Sequence, residues 1–323
     1  MSKCLPILDK MPPEIMGKIF GYTDNMDKFR LRQCCKYFKQ IVDDSEIVFD
    51  HLEFFWNDFS KYANVYDHHQ INKTFKDTNP EKLVENGMLA LKFLEKVLKS
   101  HPKIRLVKFE INVPFATKKL KEHREMVIEE VWRIFSGLEN KLPVEILTME
   151  SIRDEQLLVS VLPHLVPGTL RQLSITSLTG RRIRIDLSRT IETEQLKQAE
   201  ALITGNYLSI DLEKTDHFKY MKYSVARLEV ADVQRIVENI LRENGWKTRS
   251  IHENGWKQRF IYTDEDEYDS DAIKQYLLQF DHKILQNNDA TLNMTIRRDG
   301  YGCEIEMDRR LRQMTFERID SVS

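Results

Sequence analysis

The segment from residue 9 to residue 42 reads DKMPPEIMGKIFGYTDNMDKFRLRQCCKYFKQIV, and its dense apolar pattern decides the fold of the N-terminus. Pro12 and Pro13 suit the first turn of a helix, where a backbone N–H group has no partner within the helix. Apolar residues then recur on one helical face as far as Phe20. Gly21 favours a helix end, and the polar residues that follow it predict a turn.

A second helical pattern follows the predicted turn. Asp27 is predicted to cap this helix. Mixed three- and four-residue spacing of apolar residues from Phe29 to Val42 predicts one bent helix or two short ones. A unit of about 34 residues rarely supports its own core without a disulfide, a metal ion or a partner. The segment therefore packs either on the rest of its own chain or in a groove of another protein.

Five short motifs in this segment resemble those of an F-box: Met11-Pro12-Pro13-Glu14-Ile15-Met16, Lys18-Ile19-Phe20, Phe29-Arg30-Leu31-Arg32, Cys34-Cys35-Lys36-Tyr37-Phe38 and Ile41-Val42. The family pattern opens with leucine-proline-x-glutamate and continues with an isoleucine pair and an arginine-leucine-arginine stretch. It closes with valine-cysteine-lysine-x-aromatic. Met11, Thr23 and Cys34 depart from the pattern, and each of them is small or apolar.

The resemblance implies that the N-terminal module docks on the SKP-family adaptor of a cullin–RING ubiquitin ligase of the SCF type. It carries the adaptor contacts onto eight positions of this sequence: Met11, Pro12, Ile15, Ile19, Phe20, Leu31, Cys35 and Phe38.

Composition places the 323-residue chain among ordinary globular proteins, with 41% hydrophobic residues, 31% charged residues and a net charge of −2. This charge balance disfavours a nucleic-acid partner. Cys4, Cys34, Cys35 and Cys303 lack metal-site spacing and predict reduced, mostly buried thiols. No secretory signal or membrane-spanning stretch is present, so we expect an intracellular protein, cytoplasmic or nuclear, with no membrane partner. We expect no metal ion or cofactor.

Three parts are predicted along the chain: a helical F-box module at residues 1–45, a helical linker region at 46–100 and an α/β recognition domain at 101–315. In the linker region, apolar spacing over residues 45–59 predicts a helix, and residues 83–99 form a clear amphipathic helical pattern.

After Pro102, short strand patterns alternate with helical ones. Three strand patterns share one signature: Leu106-x-x-Phe109-x-Ile111, Val144-x-x-Leu147-x-Met149 and Leu170-x-x-Leu173-x-Ile175. Helices are predicted at residues 120–138, 155–165, 193–203 and 231–242, and strands at 207–212, 291–297 and 303–308, the last two as a hairpin. The fold class is α/β: an irregular repeat array, loosely like leucine-rich repeats, with a largely parallel sheet. An ordinary open α/β sandwich is the alternative.

The whole arrangement resembles the nematode F-box proteins that carry an FTH domain, with LEVADVQRIVENIL and LNMTIRRDGYGCEIEMDRR similar to the C-terminal part of that domain. The resemblance implies substrate recognition without chemistry. Residues that alternate with the core of each strand are predicted to point outward and contact a target protein: Lys108, Glu110, Thr148, Glu150, Gln172, Ser174, Ser209 and Asp211.

No nucleotide-binding, metalloprotease or serine-hydrolase motif occurs, so no catalytic residue is predicted. The leading hypothesis is a non-catalytic substrate receptor of an SCF-type ubiquitin ligase, whose target the sequence does not name. The alternative is an interaction protein that binds the adaptor, or an RNA-binding partner, without delivering a substrate. The tandem copy RENGWKTRSI and HENGWKQRFI favours a hairpin over a paired tryptophan binding site.

Overall fold

The computed structural model describes residues 11–23, 25–57, 62–67, 71–76, 82–113, 123–150, 155–176, 184–209, 212–224, 230–241, 258–262, 270–287, 291–298, 301–308 and 313–319. The chain forms two compact units. The first comprises Met1–Leu173 with Thr193–Gln198, and the second comprises Ser174–Glu192 with Ala199–Ser323. The ENGWK segments of the tandem copy, and residues 299–300 between the two strands of the predicted hairpin, lie outside the described residues.

Three short helices open the first unit: α1 (Pro13–Gly21), α2 (Asn25–Cys34) and α3 (Lys36–Asp44). Pro13 stands at the first helical position, as predicted. The predicted alternative of two short helices is confirmed, because Cys35 adopts an extended backbone between α2 and α3. Asp27 is not the cap of α2, since the helix already begins at Asn25. It lies in the first turn, where its negative charge suits the positive helix end.

A sheet of five strands forms the centre of the first unit: β1 (Ile47–Asn57), β2 (Tyr62–Asp67), β3 (Ile71–Lys76), β4 (Ile104–Asn112) and β5 (Val144–Glu150). Their order is β3-β2-β1-β4-β5. Strands β1, β4 and β5 are parallel, and β2 and β3 extend β1 as an antiparallel meander.

The parallel strands are joined by crossover helices, as parallel pairing requires. These are α4 (Leu83–Leu98) between β3 and β4, α5 (Arg124–Ser136) between β4 and β5, and α6 (Gln156–Val161), which follows β5 and continues as a 3₁₀ turn (Leu162–His164). The next strand, β6 (Gln172–Thr176), begins in the first unit and ends in the second. The predicted fold class, mixed α/β with N-terminal helices and a largely parallel sheet, is confirmed.

The helix predicted over residues 45–59 is wrong, because Ile47–Asn57 is strand β1. The helical character predicted for residues 46–100 therefore holds only for α4. The error has a clear cause in the burial of β1. Phe49 is buried on one face of the sheet, whereas Leu52 and Trp56 are buried on the other. This change of face spaces apolar residues by three positions and imitates a helical period.

The same change of face explains the repeated strand signature. In β4, Leu106 is buried on the face that carries Phe49, and Phe109 is buried on the opposite face, where its ring meets Phe135 of α5 at 5.8 Å between centroids. In β5, Val144 pairs with Leu106 on the first face. The first face is therefore apolar at the start of these strands and mostly polar further along, with Phe55 beside Asn112 as an apolar exception.

The second unit contains the remaining strands: β7 (Arg184–Asp186), β8 (Ala201–Ser209), β9 (Tyr220–Ser224), β10 (Gln258–Tyr262), β11 (Asp281–Asn287), β12 (Thr291–Arg298), β13 (Tyr301–Asp308) and β14 (Gln313–Ile319). Their order is β8-β9-β10-β14-β13-β12-β11, with β7 beside β8. Strands β7 to β10 pair in parallel and the others antiparallel. The predicted hairpin of β12 and β13 is confirmed.

The helix predicted over residues 193–203 is too long. Helix α7 (Glu194–Lys197) is a single turn, and the chain enters β8 at Ala201, six residues before the predicted strand. Leu202 and Thr204 are buried on alternate positions, which is the period of a strand. Helix α8 (Val230–Leu241) agrees with its prediction, and α9 (Ser270–Leu277) was not predicted. The predicted division into residues 1–45, 46–100 and 101–315 stays a prediction.

Candidate functional site

The inner sides of the three N-terminal helices are held by aromatic packing. Phe20 of α1 and Phe38 of α3 meet edge to face, with ring centroids 6.1 Å apart. Phe29 of α2 packs on Phe49 of β1, with ring centroids 6.3 Å apart. The apolar N-terminal segment therefore buries one side against its own sheet.

Polar contacts fasten the same helices to the loops and strands behind them. The side chain of Asn25 donates from Nδ2 to the carbonyl of Val48 at 2.9 Å. His101, which is buried, has Nε2 at 2.7 Å from the carbonyl of Val42, and its Nδ1 accepts from the N–H of Lys103 at 3.0 Å. The ring is therefore the Nε2–H tautomer, and it joins the last turn of α3 to the start of β4.

An ion pair adds a link between α2 and α3. The guanidinium of Arg32 donates to both carboxylate oxygens of Asp43, and this contact holds the pKa of the Asp43 carboxyl below its usual range. Lys103 donates from Nζ to the carbonyl of Asp44 at 3.0 Å. The three helices are thus positioned by the sheet and the loop before β4, and they present a defined opposite side.

That opposite side exposes large apolar side chains. Ile15 is 45% exposed and Ile19 is 39% exposed, one turn apart on α1, and Tyr22 at the end of α1 is 94% exposed. Pro12 is exposed beside them. We call Pro12, Ile15, Ile19 and Tyr22 the outer helical face. Contiguous exposed apolar side chains of this kind are typical of protein-interaction sites.

The eight predicted adaptor-contact positions divide into three groups. Pro12, Ile15 and Ile19 are exposed, and Met11, Leu31 and Cys35 are half-buried. Phe20 and Phe38 are buried, so their side chains support the module from inside and do not lie on its surface. Tyr22 was missed, because its position was predicted only as part of a turn.

The cysteines differ from the prediction at two positions. Cys35 forms a disulfide bond, so the prediction of a reduced thiol is wrong there. Cys34 is a free thiol as predicted, but it is exposed, whereas the free Cys303 is buried.

A second candidate surface lies where the first face of the sheet turns polar. The register places His51 beside Lys108 and Glu53 beside Glu110 on β1 and β4. Asn112 of β4 lies beside Glu150 of β5 in the same way. We use the name polar face for six side chains on three parallel strands: His51, Glu53, Lys108, Glu110, Asn112 and Glu150.

Of the six side chains of the polar face, three are carboxylates, one is an ammonium and one is an imidazole. Lys108 Nζ lies 2.6 Å from Glu110 Oε2, and His51 Nε2 lies 3.3 Å from the same oxygen. Burial, together with the charges of Glu110 and Glu150, raises the pKa of the Glu53 carboxyl. The carboxylates of Glu53, Glu110 and Glu150 therefore repel one another at this surface.

Of the eight predicted target-contact residues, Lys108, Glu110 and Glu150 lie together on the polar face. Thr148 pairs with Glu110 but is 8% exposed, and Ser174 on β6 is 7% exposed, so the prediction that both side chains point to solvent is wrong. The others lie elsewhere: Gln172 is half-buried on β6, Ser209 is on β8, and Asp211 is outside the described residues.

His51, Glu53 and Asn112 were not predicted from the sequence. The first two were hidden by the wrong helix prediction for residues 45–59. The signal that marks His51 and Glu53 is strict alternation with Leu52 and Phe54, which are buried on the opposite face.

Two family models match the chain. The F-box domain covers residues 8–50, which are the three helices and the start of β1. The FTH domain covers residues 125–276, from α5 to α9. A helical module of this type defines a protein that works through protein–protein contacts, and F-box domains generally bind SKP1-type adaptors of cullin–RING ligases. The chain belongs to the F-box plus FTH family, as its motifs predicted.

A search of curated proteins finds no match. Within the described residues, no helix combines the length and the apolar character needed to cross a bilayer. The same part of the chain contains no group of three or more His, Cys, Asp or Glu side chains arranged for a metal ion.

Proposed function

We propose that this protein is a substrate receptor of an SCF-type cullin–RING ubiquitin ligase. The observation that carries the proposal is the two-sided construction of the F-box helices. Their inner side is buried against the sheet through Phe29 and Phe49, while Ile15 and Ile19 remain exposed on the other side. A module fixed in this way can dock on an adaptor without losing its own support.

The adaptor contact is centred on the outer helical face. Burying Ile15 and Ile19 against a partner removes apolar surface from water at about 25 cal/mol per Å². Exposed aromatic side chains such as Tyr22 are enriched among residues that dominate binding energy. Phe20 and Phe38 contribute indirectly, since they hold α1 and α3 together.

The target contact lies on the polar face, which is formed by strands rather than by the F-box helices. The receptor takes no part in bond-making. It would act by proximity, because holding a lysine of the target near a charged conjugating enzyme raises the effective concentration of the reacting groups. No side chain of this chain is assigned a catalytic role.

The test compares adaptor binding by the full-length protein and by the variant Ile15→Asp, Ile19→Asp. Both positions are exposed, so the free energy of unfolding should change by only about 0.5 kcal/mol per position. Binding to a purified SKP-family adaptor, measured by calorimetry, should weaken at least about tenfold. Leu89→Asp is the matched control, because Leu89 is an equally exposed apolar residue on α4. Phe20 is unsuitable for this test, since a charge there would break the core of the module.

Unchanged adaptor binding by the double variant would refute the adaptor contact. Cellular protein abundance measured in parallel tests the receptor role, since a target should accumulate when the double variant replaces the wild type. If the wild type binds the adaptor but no cellular protein accumulates when the double variant replaces it, the alternative is favoured, namely an interaction protein that does not deliver a substrate.

A further inference from the structure

The polar face contains one carboxylate without a partner. Glu53 lies directly beside Glu110 in the register of β1 and β4. In the part of the chain that the structure describes, Lys108 and His51 both bond to Glu110, and no hydrogen bond or ion pair reaches Glu53. A half-buried carboxylate next to another carboxylate is expected to find a cation or to lose its charge.

A second, independent feature points to the same place. Asn112 follows Glu110 on the same face of β4 and is 0% exposed. Its Nδ2 donates to Glu150, so the amide group lies at the carboxylate cluster, yet its Oδ1 has no hydrogen-bond partner. Buried acceptors are almost always satisfied in folded proteins, and an exception needs an explanation. Here the unused acceptor and the unpaired carboxylate of Glu53 lie diagonally across adjacent strands.

We propose that the polar face binds a basic side chain, arginine or lysine, of the target protein. The unused groups are both acceptors: the half-buried carboxylate of Glu53, which a target side chain can reach, and Oδ1 of Asn112, a fully buried acceptor on the same face. A guanidinium offers five donors in a plane, an ammonium offers three, and neither accepts a hydrogen bond. The inference deepens the proposed function and rests on it, since it states what the target-binding surface recognises.

Charge decides the class of partner. Among the described residues, Glu53 and Glu110 lie beside one ammonium, from Lys108, and His51 adds a charge only when it is protonated. Such a surface repels phosphate groups, which disfavours a nucleic acid. It attracts a basic segment and pairs with it through charge-assisted hydrogen bonds. The location fits as well, since binding sites in open α/β sheets lie towards the carboxyl ends of parallel strands.

The experiment measures binding of labelled peptides to the full-length protein by fluorescence anisotropy at low ionic strength. The probes are short glycine–serine peptides that carry a central arginine, a central lysine or a central citrulline. Citrulline has the shape of arginine without its charge. The arginine and lysine peptides should bind, and the citrulline peptide should bind about tenfold or more weakly.

Two variants of Glu53 test the position of the site. Glu53→Gln should weaken binding of the arginine peptide about tenfold, because it removes the unpaired carboxylate. Glu53→Lys should abolish binding, because it places a cation of the protein itself beside Glu110. Glu129→Gln is the matched control, an exposed carboxylate on α5 that should leave binding unchanged. Circular dichroism checks that each variant is folded.

Equal binding of the arginine and citrulline peptides would overturn the inference, and so would an undiminished preference for arginine in folded Glu53→Gln. Adaptor binding is measured on the same samples and separates the two proposals. Adaptor binding without peptide binding refutes only the basic-side-chain site. Peptide binding without adaptor binding supports the site and refutes the receptor role.

Discussion

Gly87 lies in the middle of α4, where alanine would ordinarily stabilise a helix by about 0.5–1 kcal/mol. The structure predicts the opposite sign. A Cβ atom on Gly87 would lie 2.2 Å from Cζ2 of Trp56 and 2.3 Å from its Cε2 and Cη2 atoms. Trp56 is completely buried in β1, so its ring has no free space into which to move. Overpacking of this kind costs about 1–3 kcal/mol and sometimes more.

We therefore expect Gly87→Ala to lower the free energy of unfolding by about 2 kcal/mol, after the gain in helix propensity is subtracted. Urea unfolding followed by far-ultraviolet circular dichroism measures this change. Gly17→Ala is the matched control, because Gly17 lies within α1 and no atom comes within 4 Å of its added Cβ. That control should be neutral or stabilising, by up to about 1 kcal/mol.

A double-mutant cycle tests the stated cause. The change Trp56→Phe shortens the ring system that Gly87→Ala meets, so Gly87→Ala should cost about 1 kcal/mol less in that background than in the wild type. If Gly87→Ala proves as stable as the wild type, or if its cost is the same with phenylalanine at position 56, then α4 does not pack on β1 as described.

Three further predictions concern polar groups. Contacts from Arg133 and Lys99 lower the pKa of Glu95 from 4.5 to about 2. Glu95 therefore stabilises the fold above about pH 4.5 and loses that effect as the pH falls towards 2. Glu95→Gln should lower the free energy of unfolding by about 1 kcal/mol at neutral pH and leave it unchanged in acid, as measured by urea unfolding at both pH values. The raised pKa of Glu53 works in the other direction, since stability falls as the pH rises through it. Glu53→Gln should therefore gain up to about 1 kcal/mol at pH values above that pKa, and a loss there in thermal unfolding would contradict the repulsion. His101→Leu leaves the carbonyl of Val42 without its buried partner and should lower the free energy of unfolding by about 2 kcal/mol. Urea unfolding indistinguishable from that of the wild type would show that the hydrogen bond between His101 and Val42 is not formed.

Several elements of both units were predictable because they depend on neighbours in the chain. The start of α1 at the paired prolines, the amphipathic α4 and the hairpin of β12 and β13 all follow from helical period, turn residues or strand alternation over a few positions. The F-box motif was readable for the same reason, and it predicted the N-terminal helices and their interaction class.

The polar face was only half predictable. Lys108, Glu110 and Glu150 were predicted from alternation within single strands, but nothing in the sequence placed Glu53 beside Glu110. These residues are 57 positions apart in the chain, and their pairing depends on the parallel register of β1 and β4. The identity of β1 itself was hidden, because burial that changes face after Phe49 produces the spacing of a helix.

The sequence by itself therefore determined the N-terminal helices, the strands β4, β5, β6, β12 and β13, and the family, since hydrophobic period acts locally. The tertiary structure alone decided which of the apolar F-box residues are core and which are surface. Phe20 and Ile19 are adjacent in sequence, yet one is buried on Phe38 and the other is exposed. The direction in which a side chain points depends on what the helix packs against, and here that partner is a sheet formed by strands that lie far apart in the chain.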